Sequence, residues 1–215
     1  MPLSPLIIRK NAVLLLIDLQ KGIHHPKLGP RNNPHAEERI QCLLKAWRSS
    51  SRPVVHVRHL SRSPDSVFWP AQEGVEFQEQ FLPIGAEPVI DKQVPDAFCA
   101  TALRDMLVKT GVEQLVIAGV ITNNSIEATA RSAGNLGFDV LVPEDGCYTF
   151  DKPDFHGRAR TADEIHAMSL ANLQGEYARV MPSELILQSL IQTLAATGTG
   201  PLAKPNNATS ASTIT

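Results

Sequence analysis

The sequence lacks an excess of charge, a paired set of cysteines and any long apolar run. Its 215 residues carry 20 lysine and arginine against 22 aspartate and glutamate, a formal net charge of -2 at pH 7. Nucleic acid is therefore not an expected partner, because nucleic-acid binders carry a basic surface. No apolar run approaches the ~20 residues of a membrane span, so no membrane association is expected.

Cysteine usage and the N-terminus bear on the compartment. The three cysteines, Cys42, Cys99 and Cys147, are odd in number and widely spaced, which argues against a disulfide framework. None forms a CxxC pair, so a structural zinc site is not expected. The first eleven residues do not resemble a signal peptide. Together these observations predict a cytoplasmic protein.

Length and composition predict one folded domain followed by a tail. Hydrophobic residues make up 43% of the chain, enough for a sizeable core. We place the domain at residues 1–196. Residues 197–215 are rich in Thr, Ser, Ala, Pro and Asn and cannot bury enough apolar surface to offset the entropy of ordering. We therefore predict a flexible C-terminal tail there.

Within the domain, short apolar runs alternate with helical patterns. Residues 12–18 form a continuous apolar run ending in an acid, typical of a strand buried on both faces of a parallel sheet. Further strands are predicted at 53–58, 88–90, 114–120, 139–143 and 178–181, and helices at 35–50, 97–110, 124–136, 161–176 and 183–195. Cys99 is expected in the core, inside the second of these helices. Strands separated by helices form right-handed βαβ units and predict a parallel sheet.

Polar residues follow three of the predicted strands. Sites in parallel α/β sheets gather at the C-terminal ends of the strands. Asp18 follows the first strand, Lys92 the third, and a Gly-Val-Ile-Thr-Asn-Asn segment completes the fourth. Taken singly, each has an ordinary structural explanation, such as a turn or a solvated side chain. Their combination is the more specific signal.

The three segments together resemble the isochorismatase-like (cysteine hydrolase) family. The family's first strand ends in Asp-x-Gln, its middle segment reads Lys…Ala-Phe…Thr-x-Leu, and its third begins Gly-Val-x-Thr-x-x-Cys and continues Thr-Ala-Arg-x-Ala. The resemblance covers residues 12–181 in the expected order. The matching residues are Asp18, Gln20, Lys92, Ala97, Phe98, Thr101, Leu103, Gly119, Val120, Thr122, Glu127, Thr129, Ala130, Arg131 and Ala133.

The resemblance implies a fold and a chemistry. The implied fold is a three-layer α/β/α, Rossmann-like domain with a six-stranded parallel sheet, assembled as a homo-oligomer (dimer or tetramer). The implied activity is hydrolysis of an amide, urea or carbamoyl bond of a small-molecule substrate, without an organic cofactor. Asp18 would be the general base, and Lys92 would lower the pKa of the nucleophile. Backbone N–H groups of Ile121 and Ser125 would form the oxyanion hole, beside a cis peptide at residues 120–121.

The nucleophile position is occupied by Ser125, where most of the family has cysteine. Four interpretations stay open for this residue. Ser125 is a natural nucleophile, or the chain is a variant of a cysteine hydrolase with cysteine replaced by serine. Alternatively, the chain is an isochorismatase-type vinyl-ether hydrolase, in which the acid at Asp18 protonates the substrate and no thiol is needed. The fourth interpretation is a noncatalytic small-molecule binder. We favour the first two, because a serine beside Asp18 and Lys92 retains a complete catalytic trio.

Other residues are candidates for substrate binding or for a metal. Gln20, His24 and Asn124 lie close to the matched segments, and Phe68 and Trp69 lie in a long irregular segment that often forms a lid in the family. Nicotinamidase-like members bind a divalent ion near the second strand, where this chain has His56 and His59. Their Asp-x-His spacing is absent here, so no metal is expected.

Overall fold

A parallel sheet with helices on both faces makes up the computed structural model, which describes residues 6–196. The predicted tail at 197–215 lies outside the described residues. The strands are β1 Val13–Ile17, β2 Val54–His59, β3 Val89–Lys92, β4 Gln114–Val120, β5 Asp139–Pro143, β6 Cys147–Tyr148, β7 Lys152–Pro153, β8 Ala159–Arg160 and β9 Arg179–Met181. The α-helices are α1 Ala36–Ser49, α2 Leu103–Lys109, α3 Glu127–Asn135, α4 Ala162–Leu173 and α5 Ser183–Ala196.

The strand order is β3-β2-β1-β4-β5-β9, and every pair along it is parallel. These are the six predicted strands, so the predicted parallel sheet is confirmed. The short β6 pairs with the end of β4 and adds a seventh strand. Strands β7 and β8 form a separate antiparallel hairpin.

The central strand β1 explains why the sheet is covered on both sides. All five of its residues are buried, and side chains alternate between faces along a strand. Leu15 packs in a cluster with residues of α2, α3 and α4, whereas Leu14 packs in a second cluster with residues of α1 and α5. An apolar run without alternation therefore becomes the middle layer of a three-layer α/β/α fold.

The carboxyl ends of β1 and β4 approach each other unusually closely. Gly119 pairs with Ile17 and has a φ of 127°, a conformation that favours glycine. A Cβ atom on Gly119 would overlap the carbonyl oxygen of Ile17. Glycine therefore permits the contact that brings the residues following β1 and β4 to one point at the sheet edge.

Two helix starts differ by more than one residue from the sequence prediction, and the helix predicted to end at residue 176 ends at Leu173. The helix predicted from residue 97 begins at Leu103, because the Ala97 N–H donates to Thr129 Oγ1 of α3 (3.0 Å) and Ala100 has a left-handed φ of 55°. Cys99 lies in this turn and is exposed, so its prediction as a core residue was wrong. The helix predicted from residue 124 begins as a π-helical turn, Thr122–Ile126, that continues into α3.

Candidate active site

Asp18, Lys92 and Ser125 converge in a buried hydrogen-bonded triangle. Asp18 follows β1 and Lys92 ends β3, while Ser125 lies in the π-helical turn after β4. Asp18 Oδ2 accepts hydrogen bonds from Lys92 Nζ (2.7 Å) and from Ser125 Oγ (2.7 Å), and Lys92 Nζ also donates to Ser125 Oγ (3.1 Å). The structure thus brings together three residues that are 107 positions apart at most.

The directions of these bonds assign a role to each group. Lys92 Nζ has only donors to offer, so Ser125 Oγ accepts from it and directs its own proton to Asp18. The side chains of Asp18 and Lys92 are 5% and 0% exposed, so the carboxylate and the ammonium compensate each other away from water. The second oxygen, Asp18 Oδ1, is buried and has no hydrogen-bond partner among residues 6–196.

The triangle opens onto a cavity of about 310 Å³. Its lining includes Asp18, Ser125 and Ile121, together with His59, Phe68 and Asn124. This volume lies at the small end of the range for ligand pockets, which suits a small molecule. A larger groove of about 620 Å³ lies between α4 and the β7–β8 hairpin, but none of the three triangle residues lines it.

The predicted substrate-binding residues divide into two groups. Phe68 and Asn124 line the cavity, whereas Gln20, His24 and Trp69 do not. Gln20 is fully buried, and its side chain bonds the backbone of His59 at both N–H (2.8 Å) and C=O (2.9 Å) and the C=O of Val75 (3.0 Å). The expectation that Gln20 contacts substrate is therefore corrected, because its polar atoms hold the end of β2 in place. His24 is half exposed and lies 3.8 Å from Glu37.

Two pairs of side-chain contacts support the segments around Ser125. The segment after Lys92 is held against α3 by the Ala97–Thr129 bond and by a bond from Ser132 Oγ to Asp96 Oδ2 (2.6 Å). On the other side, Thr122 Oγ1 lies 2.9 Å from Nδ1 of the buried His166, whose Nε2 lies 3.0 Å from the Glu144 carbonyl. Burial lowers the pKa of His166, so the neutral ring donates from Nε2 and accepts on Nδ1.

Ile121 immediately precedes the π-helical turn that carries Ser125. It lines the cavity with Ser125, and the Val120–Ile121 peptide is cis, as the family resemblance implies. His166 was missed as a supporting residue. Its signal in the sequence is its place on a helix that opens with a capping box between Thr161 and Glu164.

His59 is a cavity residue that the sequence suggested only as a metal ligand. It ends β2 directly beside Lys92 of β3, with its Nδ1 3.4 Å from Lys92 Nζ. Burial lowers the pKa of His59, and the Lys92 charge lowers it further, against an opposing effect of Asp18. Its signal was its position at a strand end in a parallel sheet.

His56 and His59 do not converge on a common point. His56 is packed in the sheet and bonds Glu87 Oε2 (2.8 Å). Burial opposes ionisation of Glu87, but bonds from Arg48, the Ile84 N–H and His56 lower its pKa to about 2. Across residues 6–196, no group of three or more His, Cys, Asp or Glu side chains is arranged to hold a metal ion.

Comparison with known proteins identifies the family. The model of the Isochorismatase domain matches residues 12–184, which is most of the chain. The chain belongs to the isochorismatase family of hydrolases. A solved structure of an isochorismatase-family protein from Chromobacterium violaceum is 51% identical, with a TM-score of 0.84, covering 88% of this chain and 98% of that one. The family resemblance drawn from the three motifs is thereby confirmed.

Curated relatives of the isochorismatase family include proteins of named activity. The isochorismatase-family protein YrdC of Bacillus subtilis is 33% identical over 86% of this chain and 98% of its own length. A streptothricin hydrolase of Streptomyces noursei is 32% identical over 72% of this chain and 61% of its own length. Nicotinamidase 3 of Arabidopsis thaliana is 28% identical over 85% and 90%. No helix in the described part of the chain has the length and apolar character needed to span a bilayer.

Proposed function

We propose that this isochorismatase-family hydrolase cleaves a C–N bond of a small amide, urea or carbamoyl compound, with Asp18, Lys92 and Ser125 as its catalytic residues. The observation that carries the proposal is the Ser125 Oγ–Asp18 Oδ2 hydrogen bond of 2.7 Å in a cavity-lining, buried site. A nucleophile bonded to a base, with the base held by a third group, is the arrangement that nucleophilic catalysis requires. The nicotinamidase and streptothricin hydrolase relatives support this bond class.

The proposed reaction begins with transfer of the Ser125 hydroxyl proton to Asp18 as Oγ attacks the substrate carbonyl carbon. The new C–O bond converts the carbonyl into a tetrahedral oxyanion, for which the backbone N–H groups of Ile121 and Ser125 are the proposed donors. The C–N bond then breaks, and Asp18 returns its proton to the leaving nitrogen. An ester to Ser125 remains.

Hydrolysis of that ester completes the cycle. Asp18 accepts a proton from water, the resulting hydroxide equivalent attacks the acyl carbon, and the proton returns to Ser125 Oγ. The products are ammonia or an amine and the corresponding acid, so the atoms of substrate and water are all accounted for. Throughout, the Lys92 ammonium stabilises negative charge on Asp18 and on Oγ, from which it lies 2.7 Å and 3.1 Å away.

Serine at this position has a kinetic consequence. A thiol ionises near pH 8.5, whereas a serine hydroxyl is far harder to ionise and depends on its base throughout the attack. We therefore propose that Ser125→Cys, which places a readily ionised thiol beside the Lys92 ammonium, hydrolyses the same compounds faster than the chain as it stands. This result is expected for a pocket that accommodates the cysteine found in most of the family.

The test is ammonia release from a panel of small amides, ureas and carbamoyl compounds. We expect release by the unaltered chain, faster release by Ser125→Cys, and loss of release in Ser125→Ala and Asp18→Asn. Thr101→Ser serves as a control substitution outside the cavity. Hydrolysis of the vinyl ether isochorismate, with activity unchanged in Ser125→Ala, would contradict the proposal in favour of a vinyl-ether hydrolase. Ligand-induced thermal stabilisation without turnover of either class would contradict it in favour of a binder.

A further inference from the structure

The imidazole of His59 is held in one orientation at the cavity wall. Its backbone N–H donates to Gln20 Oε1 (2.8 Å), and its carbonyl accepts from Gln20 Nε2 (2.9 Å). Its ring meets the ring of Phe68 edge to face, with centroids 5.9 Å apart and an interplanar angle of 79°. The backbone of His59 is also paired with Lys92 in the register of β2 and β3. The ring therefore has a defined direction towards both Lys92 and the cavity.

The neighbouring ammonium determines which ring nitrogen carries the proton. Lys92 Nζ offers three N–H donors and no acceptor. Two of them bond Asp18 Oδ2 and Ser125 Oγ, and His59 Nδ1 lies 3.4 Å from the same nitrogen. This contact is long for a hydrogen bond, but an N–H on Nδ1 would oppose the ammonium donors. Nδ1 is therefore the acceptor, and the proton lies on Nε2.

The Nε2–H group has no hydrogen-bond partner among residues 6–196, although His59 lines the cavity that contains Ser125. Because burial and the Lys92 charge both lower the pKa of His59, the ring is neutral and Nε2 carries its single donor. Because His59 is only partly buried and lines the cavity, a bound molecule can supply an acceptor for this donor. The Nε2–H group of His59 is thus available to donate a hydrogen bond to substrate.

We propose that His59 is both a positioning residue for Lys92, through Nδ1, and a substrate-binding residue, through Nε2–H. The substrate would accordingly carry an acceptor oxygen, in a carboxylate or second carbonyl group, in addition to the scissile carbonyl. The substrate half of this proposal rests on the proposed C–N hydrolase activity. The positioning half rests only on the contacts with Lys92.

Two substitutions separate the two roles, because each reproduces one ring nitrogen. Asparagine places an acceptor oxygen near the position of Nδ1, and glutamine places an amide N–H near the position of Nε2. His59→Asn keeps the contact with Lys92 and loses the donor to substrate. His59→Gln keeps the donor and loses the acceptor for Lys92. Thermal unfolding of each variant controls for loss of the fold.

The kinetic test compares succinamate, an amide that carries a carboxylate, with butyramide, which lacks it. For His59→Asn we expect the KM for succinamate to rise about three- to tenfold relative to the KM for butyramide, because only succinamate loses a hydrogen bond. For His59→Gln we expect kcat to fall about tenfold or more on both amides with KM unchanged, because Lys92 is no longer held in position. An unchanged KM in the first variant or an unchanged kcat in the second would overturn the corresponding role.

A second measurement does not depend on turnover. ¹⁵N NMR of the histidine side chains of the full chain, with His59 assigned by its absence in His59→Gln, reports tautomer and charge directly. We expect a neutral Nε2–H ring at neutral pH, because burial and the Lys92 charge lower the pKa of His59. An Nδ1–H tautomer, or an imidazolium at neutral pH, would overturn the proposal. If neither amide is hydrolysed but the expected tautomer is found, the proposed activity fails and the positioning role stands.

Discussion

Removal of the Lys92 charge should destabilise the fold far more than removal of an exposed charge from the same pair of strands. In Lys92→Met the side chain keeps its length, but Asp18 loses both its countercharge and a 2.7 Å hydrogen bond. Asp18 Oδ1 already has no partner in the described structure. The substitution therefore leaves a buried carboxylate with Ser125 as its remaining side-chain partner, and water has little access to it.

Burial sets the size of the expected effect. Breaking a buried ion pair by removing one partner costs about 3–5 kcal/mol of unfolding free energy. With a urea dependence of about 2–3 kcal/mol/M for a domain of this size, the unfolding midpoint should fall by about 1–2.5 M. The matched control is Arg58→Met, which removes the ion pair between Arg58 of β2 and Asp91 of β3. Those side chains are 32% and 42% exposed, so the expected loss is below about 1 kcal/mol.

The assay is equilibrium urea unfolding followed by fluorescence of the buried Trp47. The double variant Asp18→Asn/Lys92→Met removes both charges together and should recover most of the stability, because no uncompensated charge remains. The reasoning would be refuted if Lys92→Met and Arg58→Met lowered the midpoint equally. It would also be refuted if the double variant were less stable than Lys92→Met alone.

Four further predictions address other parts of the molecule. The pKa of Glu87 is about 2 in the folded protein against 4.5 in the unfolded chain, so the stabilisation by its carboxylate is present above about pH 4.5 and is lost as the pH falls towards 2. The difference in urea midpoint between the unaltered chain and Glu87→Gln should therefore shrink over that pH range. A difference that stays constant would contradict this prediction. Iodoacetamide should alkylate the exposed Cys42 and Cys99 in the native protein but not Cys147, because burial raises the pKa of the Cys147 thiol to about 12. Labelling of all three cysteines, measured by intact mass, would contradict this prediction. Gly119→Ala should lower the unfolding midpoint strongly, because its Cβ would overlap the Ile17 carbonyl; a thermal melt like that of the unaltered chain would contradict the close approach. Homo-oligomerisation stays a prediction, and sedimentation equilibrium should give a dimer or tetramer rather than a monomer.

The sheet was predictable from sequence because each strand carries its own signal. Residues 13–17 are apolar without interruption, and such a run has few alternatives to a strand buried on both faces. The position of Asp18 at the functional edge followed from the parallel arrangement alone. The start of α2 was not predictable in this way. Residues 97–102 have a helix-compatible composition, but the left-handed φ of 55° at Ala100 interrupts a helix there, and a long-range bond ties Ala97 to Thr129 of α3.

The site was predictable only in part. The family resemblance identified Asp18, Lys92 and Ser125, which the structure brings together, but it could not distinguish a polar side chain that faces the cavity from one that bonds the backbone. Gln20 is of the second kind, since its amide is bonded to His59 and Val75. His59 is of the first kind, but its place beside Lys92 depends on strand register between β2 and β3. Register is a property of the assembled sheet and cannot be read from either strand alone.

The most direct test of Ser125 as the nucleophile is capture of the acyl-enzyme. The chain is mixed with p-nitrophenyl acetate, quenched in acid and examined by intact mass and peptide mapping, beside Ser125→Ala and Asp18→Asn. The account predicts one added acetyl group on Ser125 in the unaltered chain, none at that site in Ser125→Ala, and much slower labelling in Asp18→Asn. Amide hydrolysis at full rate by Ser125→Ala, with no acetyl group on Ser125 in the unaltered chain, would contradict it.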